Sequence, residues 1–471
     1  MRHRILLLIL SLVLLPLLLV SCFWQGPAAP GSIAFSMSTK ALGKSMDQQA
    51  ETLRIYLFSG DTIFPLSSAE YAEAKIIDRS ATYNSDLVIP AGSYKLMLAA
   101  GHTVAGKFQV TDYADPVSIT ISPGVSTTVP PVALKASPFT FKVLWGENVP
   151  GAAVVGGSGY VTAAGSLYPL TPNPLTLGTG LTIPGAPTVN SLSVGLEYGV
   201  ENSISPTPWL NTSQGILPYS IQHSDFVATF TAPGNGAVDV LDSVGVNTGL
   251  QIIAIYERNA GLGGALVTTT LGATPTWNDA NLEDFLTGKP FLDVIVGNTQ
   301  NYVYFATALG AFRLDASVVS NGSTADEILK KCTFFKVRDT ADKEIPILSL
   351  AILSGNQLLM GTANGLYTAT LDEDSSLQVT SNSPTLVSGT EGNAITKIRM
   401  ATVGGKSVAA LLSDANVFTY DGTTVASYPF YSGLPEDLPG RLNTIMLLVD
   451  GTSLHLVAAG QNGLAVHTFT P

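Results

Sequence analysis

The 471 residues carry 35 acidic against 23 basic side chains, a formal charge of −12, and only 12% of them are charged. An acidic chain of this kind is a poor partner for nucleic acid or for anionic lipid headgroups, and two cysteines cannot build a disulfide framework. The 45 glycines, with Val, Thr, Ile, Tyr and Phe recurring in short bursts, suit many short strands joined by tight turns. The expectation is an all-β protein long enough for two cored domains.

Arg2 and Arg4 precede an apolar run from Ile5 to Val20, interrupted by Ser11 and Pro16, which ends in Leu19-Val20-Ser21-Cys22. This run of about 16 residues is shorter than the roughly 20 needed to cross the hydrocarbon core, and no later stretch is long and apolar enough to do so. A small residue directly before a cysteine, after a basic start and a short apolar run, resembles the bacterial lipobox in position, order and charge context. The resemblance covers this segment alone. It implies removal of residues 1–21 as a signal peptide. Cys22 then becomes the first residue and carries a thioether-linked diacylglycerol, three acyl chains in all, enough for stable membrane attachment.

Phe23 follows the cysteine, so the aspartate rule for inner-membrane retention does not apply, and the outer membrane is the expected place in the bacterial envelope. Residues 22–31 form a lipid-anchored tether, since FWQGPAAP (23–30) has no strand pattern. Once Cys22 carries lipid, Cys332 has no partner in the chain, and stability must come from packing.

From Ser32 the strand candidates are SIAFSM (32), LRIYLF (53), DLVIPAGSYKLMLAA (86), VAGKFQV (104), PVSITI (116) and VSTTVPPVAL (125), several of them alternating apolar and polar residues. Together they predict a β-sandwich over 32–136. The phrases VIPAGSYKLMLAA and VSITISPGVSTTVPPVAL resemble the small immunoglobulin-like or transthyretin-like modules that bacterial surface lipoproteins place beside their anchor. That resemblance implies a spacer or an assembly contact.

Residues 137–471 predict a β-propeller. Four segments share a plan of apolar strand, tight turn and second strand: YVYFATALGAFRLD (302), QLLMGTANGLYTATLD (357), SVAALLSDANVFTYD (407) and LHLVAAGQNGLAVHTF (454). Gly310, Gly365, Asn416 and Gly463 are the equivalent turn positions, 55, 51 and 47 residues apart, close to the length of a four-stranded blade. Asn-Gly at 364–365 and 462–463 suits hairpins in which both residues take positive φ, and Asn416 is read as a left-handed substitute for glycine.

Another apolar strand precedes each turn, and dividing the region by about 50 residues gives six or seven blades, with seven favoured. The GTANGLY type of phrase resembles the sensor and ligand-binding propellers of exported bacterial proteins, well over 290–471 and poorly over 137–290. A β-helix or two sandwiches is the competing architecture. The Gly-, Pro- and Thr-rich stretch 147–187 is read either as irregular strands or as a flap over one face.

No catalytic constellation is legible. His102, His223, His455 and His467 are scattered without metal-ligand spacing, and the acidic groups Asp372-Glu373-Asp374 and Asp339, Asp342, Glu344 do not match a calcium loop. No metal and no cofactor is expected. The glycines of NAGLGG (Gly261, Gly263, Gly264) read as a hairpin turn, and His223 and Asp225 as a pair on one strand face. Tyr198, Trp209, Tyr256 and Trp277 lie near Pro and Gly in the irregular half, where loops would present them at a rim as ligand-binding aromatics for a sugar or a protein; core packing is the competing reading.

The expected function is that of a membrane-anchored, non-enzymatic binding or scaffold lipoprotein. Its membrane contact is the Cys22 lipid, its partner an envelope protein met by the propeller face, and nucleic acid is not a partner. The alternative is a propeller that binds glycans or hydrolyses glycans or lactones, marked by inward carboxylates with shifted titration in the central channel.

Overall fold

The computed structural model describes residues 32–38, 50–59, 62–64, 71–76, 80–84, 89–104, 106–114, 116–128, 132, 134–196, 205–227, 238–246, 251–258, 262–268, 277–280, 291–296, 302–308, 310–315, 332–335, 337–338, 343–354, 356–370, 384–413, 416–429 and 442–471. Every regular element among them is a β-strand. The chain divides into two compact units, the second made of Val104–Lys107 and Pro138–Pro471.

The described residues of the first unit form two sheets. In the smaller, Ser32–Ser38 lies between Ser80–Asn84, antiparallel, and Ser126–Thr128, parallel. The larger is built on Thr52–Ser59 and Gly92–Val104, which pair with each other and with Thr62–Phe64, Ala72–Lys75, Lys107–Tyr113 and Val117–Ile121. The period of two places Leu53, Ile55 and Leu57 on one face, where they pack against Leu96, Leu98 and Ile119. Arg54 points the other way, yet it is buried. Its guanidinium lies 4.0 Å from the centre of the Tyr71 ring and 4.1 Å from that of Phe108, and Nε donates to Glu73 Oε1 at 2.8 Å.

The second unit is propeller-like. Its antiparallel sheets follow one another along the chain with innermost strands Gly151–Val155, Val189–Leu196, Val238–Val246, Phe291–Val296, Ile347–Leu353, Ile395–Val403 and Leu442–Asp450, here numbered as the first to seventh sheets. Each innermost strand packs on the next, and Leu442–Asp450 packs on Gly151–Val155, so the succession closes on itself. The seventh sheet takes its outer strand from the other end of the unit: Phe141–Val143 pairs antiparallel with Gly463–Phe469, Val143 opposite Leu464.

Apolar layers fill the spaces between sheets, as where Leu359 and Leu366 of the fifth meet Ile398, Leu411 and Phe418 of the sixth. A strand with two apolar faces is stable only when both are covered in this way.

The stretch 147–187 is not a flap. It folds into the first sheet, whose strands Gly151–Val155, Ser158–Ala163 and Ser166–Pro172 are joined by two-residue turns at Gly156-Gly157 (φ 57° and 83°) and Ala164-Gly165 (φ 47° and 72°). Paired positive φ matches the right-handed twist of the strands, so Gly156, Gly157 and Gly165 mark hairpins.

Two other local readings are corrected. Gly263 and Gly264 lie inside the strand Leu262–Thr268, opposite Glu257 and Tyr256, and do not form a turn; Gly261 is outside the described residues. Neither Asn364 nor Asn416 has positive φ, whereas Gly310, Gly365 and Gly463 do, at 138°, 136° and 127°. The turns at Gly215, Gly310, Gly365 and Asn416 are held instead by a hydroxyl three residues earlier. Thr362 Oγ1 accepts from Asn364 N at 3.1 Å and donates to Gly365 O at 2.9 Å, and Thr212, Thr307 and Ser413 make the same bond to the carbonyls of Gly215, Gly310 and Asn416.

Candidate functional site: the central cavity

The innermost strands share a defect. In the second to seventh sheets the pairing register shifts by one residue immediately before Ser191, Asp242, Asp293, Ser349, Lys397 and Thr444. A bulge re-aims the side chain that follows it, and here it sets one polar residue at the same level of each of these strands.

Several of these residues link neighbouring sheets. Ser191 Oγ donates to Leu241 O at 2.6 Å, and Ser193 Oγ and Ser243 Oγ are 2.7 Å apart. Asp293 Oδ2 accepts from Ser349 Oγ at 2.5 Å and from Leu350 N at 2.9 Å, while its Oδ1 accepts from Val294 N at 3.1 Å. Ser349 Oγ in turn accepts from Ile398 N at 3.0 Å, so one hydroxyl joins the fourth, fifth and sixth sheets. Both Asp293 oxygens are occupied, which is how a carboxylate at 4% exposure is held in the interior.

Inside this polar ring lies a cavity of about 440 Å³, lined by two or three consecutive residues of every innermost strand. Its wall is mostly aliphatic, including Val194, Val244, Ile295, Ile352, Met400 and Met446. Two charges enter it. Asp242 of the third sheet and Arg399 of the sixth meet with Oδ2 and Nη2 3.8 Å apart, and Arg399 Nη1 donates to its neighbour's carbonyl, Ile398 O, at 2.8 Å. Burial pushes the Asp242 carboxyl up to about 7; Arg399 opposes the rise, Asp293 adds to it, and Lys397 and the Ser243 amide hold it back. Burial, with the nearby Arg399 charge, likewise drives Lys397 below its ordinary value, against the pull of Asp242 and Asp293.

Of the aromatic residues expected at a rim, Trp209 has a described side chain, and it does not line the cavity. Trp209 is 0% exposed, paired opposite Ser193 in the strand Pro206–Thr212, and its indole covers Gly195 so closely that a Cβ there would fall 1.7 Å from a ring carbon. It is a core side chain, which corrects its placement at a binding rim. Tyr256 falls within the strand Gln251–Arg258 and Trp277 opens the strand Trp277–Ala280, both in the third sheet; their side chains, together with Tyr198 and Cys22, lie outside the described residues.

His223 sits in a turn, its amide on Ser220 Oγ, while Asp225 Oδ1 accepts from Phe226 N, so the two are not on one strand face. His455 contacts Thr468 Oγ1 at 2.7 Å and Pro172 O at 3.0 Å, bridging the seventh and first sheets. Glu344 faces Arg338 at 3.6 Å, and the acidic positions 339, 342 and 372–374 are outside the described residues. Among the described residues no group of three or more His, Cys, Asp or Glu side chains is placed to hold a metal ion.

Asp242, Asp293, Lys397 and Arg399 were not singled out by the sequence reading. The available signal is a charge embedded in an apolar strand in GAVDVLD, FLDVIV and ITKIRMATV, at Asp242, at Asp293 51 residues later and at Lys397 104 residues beyond that.

No family model and no curated protein matches the sequence. Among solved structures, the chain is similar to the β-propeller domain of Cps50 (Swd1) from Myceliophteria thermophila, at 9% identity over 69% of this chain and 97% of that one, with a TM-score of 0.47. It is also similar to PorZ, an essential bacterial surface component of the type-IX secretion system of Porphyromonas gingivalis, at 10% identity over 84% and 61%, TM-score 0.48. A third similarity is to Raptor from Chaetomium thermophilum, at 12% identity over 69% and 28%, TM-score 0.48. The chain spans less than two thirds of the length of the PorZ and Raptor chains.

Proposed function

We propose that this chain is a non-enzymatic binding protein of the bacterial envelope, held on the outer membrane by lipid on Cys22. Residues 32–136 form a sandwich that serves as spacer, and the second unit is a seven-bladed propeller whose loop face engages an envelope protein. The observation that carries the reading is the state of Asp293. A glycoside hydrolase needs two carboxylates available to the substrate, one as acid and one as base or nucleophile. Here Asp293 has both oxygens occupied, Oδ2 by Ser349 and Leu350 of the next sheet and Oδ1 by the adjacent Val294 amide, and Asp242 faces a cation. The inner polar ring thereby stiffens a platform, and binding falls to the loops that connect the strands. The segment Ile5 to Cys22 supports the anchor.

The test has two parts. Metabolic labelling with a palmitate analogue is expected to mark the wild-type chain and not Cys22→Ala, which leaves the membrane fraction. Crosslinking in the native envelope followed by mass spectrometry is expected to recover a specific envelope protein with the anchored form. Labelling of Cys22→Ala, or recovery of nothing specific, overturns the corresponding half of the proposal.

A further inference from the structure

The central cavity has a composition that the scaffold reading does not use. Around its middle the wall is aliphatic, with Val194, Val244, Ile295, Ile352, Met400 and Met446 contributed by six different sheets. The hydroxyls that reach this level are engaged with protein groups: Ser193 and Ser243 bond each other and the Asn211 side chain. Few polar partners are left for the many hydroxyls of a sugar.

One cation stands out against this wall. Arg399 comes no closer than 3.8 Å to Asp242 Oδ2, beyond the 2.7–2.9 Å of a direct charge-assisted hydrogen bond. The guanidinium fork is the side-chain group best matched to a planar carboxylate. Val194 is 41% exposed, which places solvent at one side of the cavity.

We propose that the central cavity of the second unit binds an aliphatic monocarboxylate, its carboxylate on Arg399 in competition with Asp242 and its hydrocarbon body against the ring of valine, isoleucine and methionine. A dianion fits less well, because the Asp242 carboxyl lines the same space and Lys397 is held towards its neutral form by burial. The ready protonation of Asp242 supports the exchange, since an arriving carboxylate need not share the site with a second full negative charge. This inference stands apart from the scaffold reading and survives its failure.

Octanoate is the probe, with octylammonium and octanol as controls, titrated by calorimetry into the full chain in non-ionic detergent after subtraction of detergent alone. Saturable binding of one octanoate per chain is expected. It should weaken about tenfold or more in Arg399→Gln and tighten in Asp242→Asn, which removes the competing carboxylate and keeps its shape. Circular dichroism of each variant establishes that it is folded, and Asp242→Asn carries the test if Arg399→Gln is not. Absence of saturable octanoate binding by both the wild type and Asp242→Asn overturns the proposal. So does equal binding by folded Arg399→Gln, or equal binding of octylammonium.

Discussion

Asp242 and Arg399 belong to sheets three steps apart around the ring and meet across the cavity at 3.8 Å. Their approach depends on the whole succession of sheets between them, so it reports on closure as well as on local charge. Burial outweighs the attraction of Arg399 and raises the folded-state pKa of Asp242 to about 7, whereas an unfolded aspartate titrates near ~3.9. Between those values the folded chain binds the extra proton, so stability falls as pH rises through the window and levels off above it. Asp242→Asn cannot ionise. Thermal unfolding from pH 4 to 8 is expected to show a wild-type decline towards neutral pH that is reduced in the variant, with the two coinciding near pH 4. Because Asp293, Lys397 and Arg399 face the same carboxyl, the difference between the two curves is the quantity to follow; parallel curves would refute the assignment.

Removing Asp293 takes the acceptor from three donors. Asp293→Ala leaves Ser349 Oγ, Leu350 N and Val294 N without this partner in a buried position, a loss on the order of 3 kcal/mol. Asp293→Asn keeps one acceptor oxygen and is expected to lie between the two. Denaturant unfolding gives the ranking directly: wild type, then Asn, then Ala. An alanine variant as stable as wild type would show that the carboxylate does not join the sheets.

Gly195 leaves room for Trp209 alone. With a Cβ placed 1.7 Å from the indole, Gly195→Ala must displace the ring or the strand, and overpacking of this kind costs about 1–3 kcal/mol. Tryptophan fluorescence offers the second readout. The expected result is a red shift as the indole, 0% exposed in the native fold, gains access to water, alongside a lower unfolding temperature.

The turn hydroxyls make a fourth case. Thr362→Val keeps the shape of the side chain and removes both bonds that hold Gly365 at φ 136°. A destabilisation of about 1–3 kcal/mol is expected, with Thr362→Ser largely restoring the wild type because the hydroxyl returns. A loss in Thr362→Ser with none in Thr362→Val, which keeps the methyl, would trace the effect to methyl packing instead.

The strands were legible because their faces are apolar in runs or in alternation. ITKIRMATV is the strand Ile395–Val403, and the four predicted turn positions each open the third strand of a sheet, at Gly310, Gly365, Asn416 and Gly463. The same turn at Thr212–Gly215 escaped notice, since its signature is a buried hydroxyl three residues before a glycine rather than an Asn-Gly pair. The central charges were illegible for a different reason. Asp242 and Arg399 are separated by three sheets of sequence, and no short window contains both. The rim reading of Trp209 failed because proline and glycine nearby suggest a loop, whereas Pro206 and Pro208 sit within the strand and Gly195 is the indole's seat.

Phe141–Val143 and Gly463–Phe469 are paired although they lie roughly 320 residues apart, which sets an order of events for the chain as it is made. The first strand of the seventh sheet emerges earliest and waits for the last; until then the nascent ring has two open edges, each a template for pairing with another molecule. A loop of that length adds only slowly to the entropy of closure, but its contacts are as non-local as the unit allows. Pairing across the seventh sheet therefore cannot form until Gly463–Phe469 has been made, and a chain interrupted before Gly463 keeps both edges exposed.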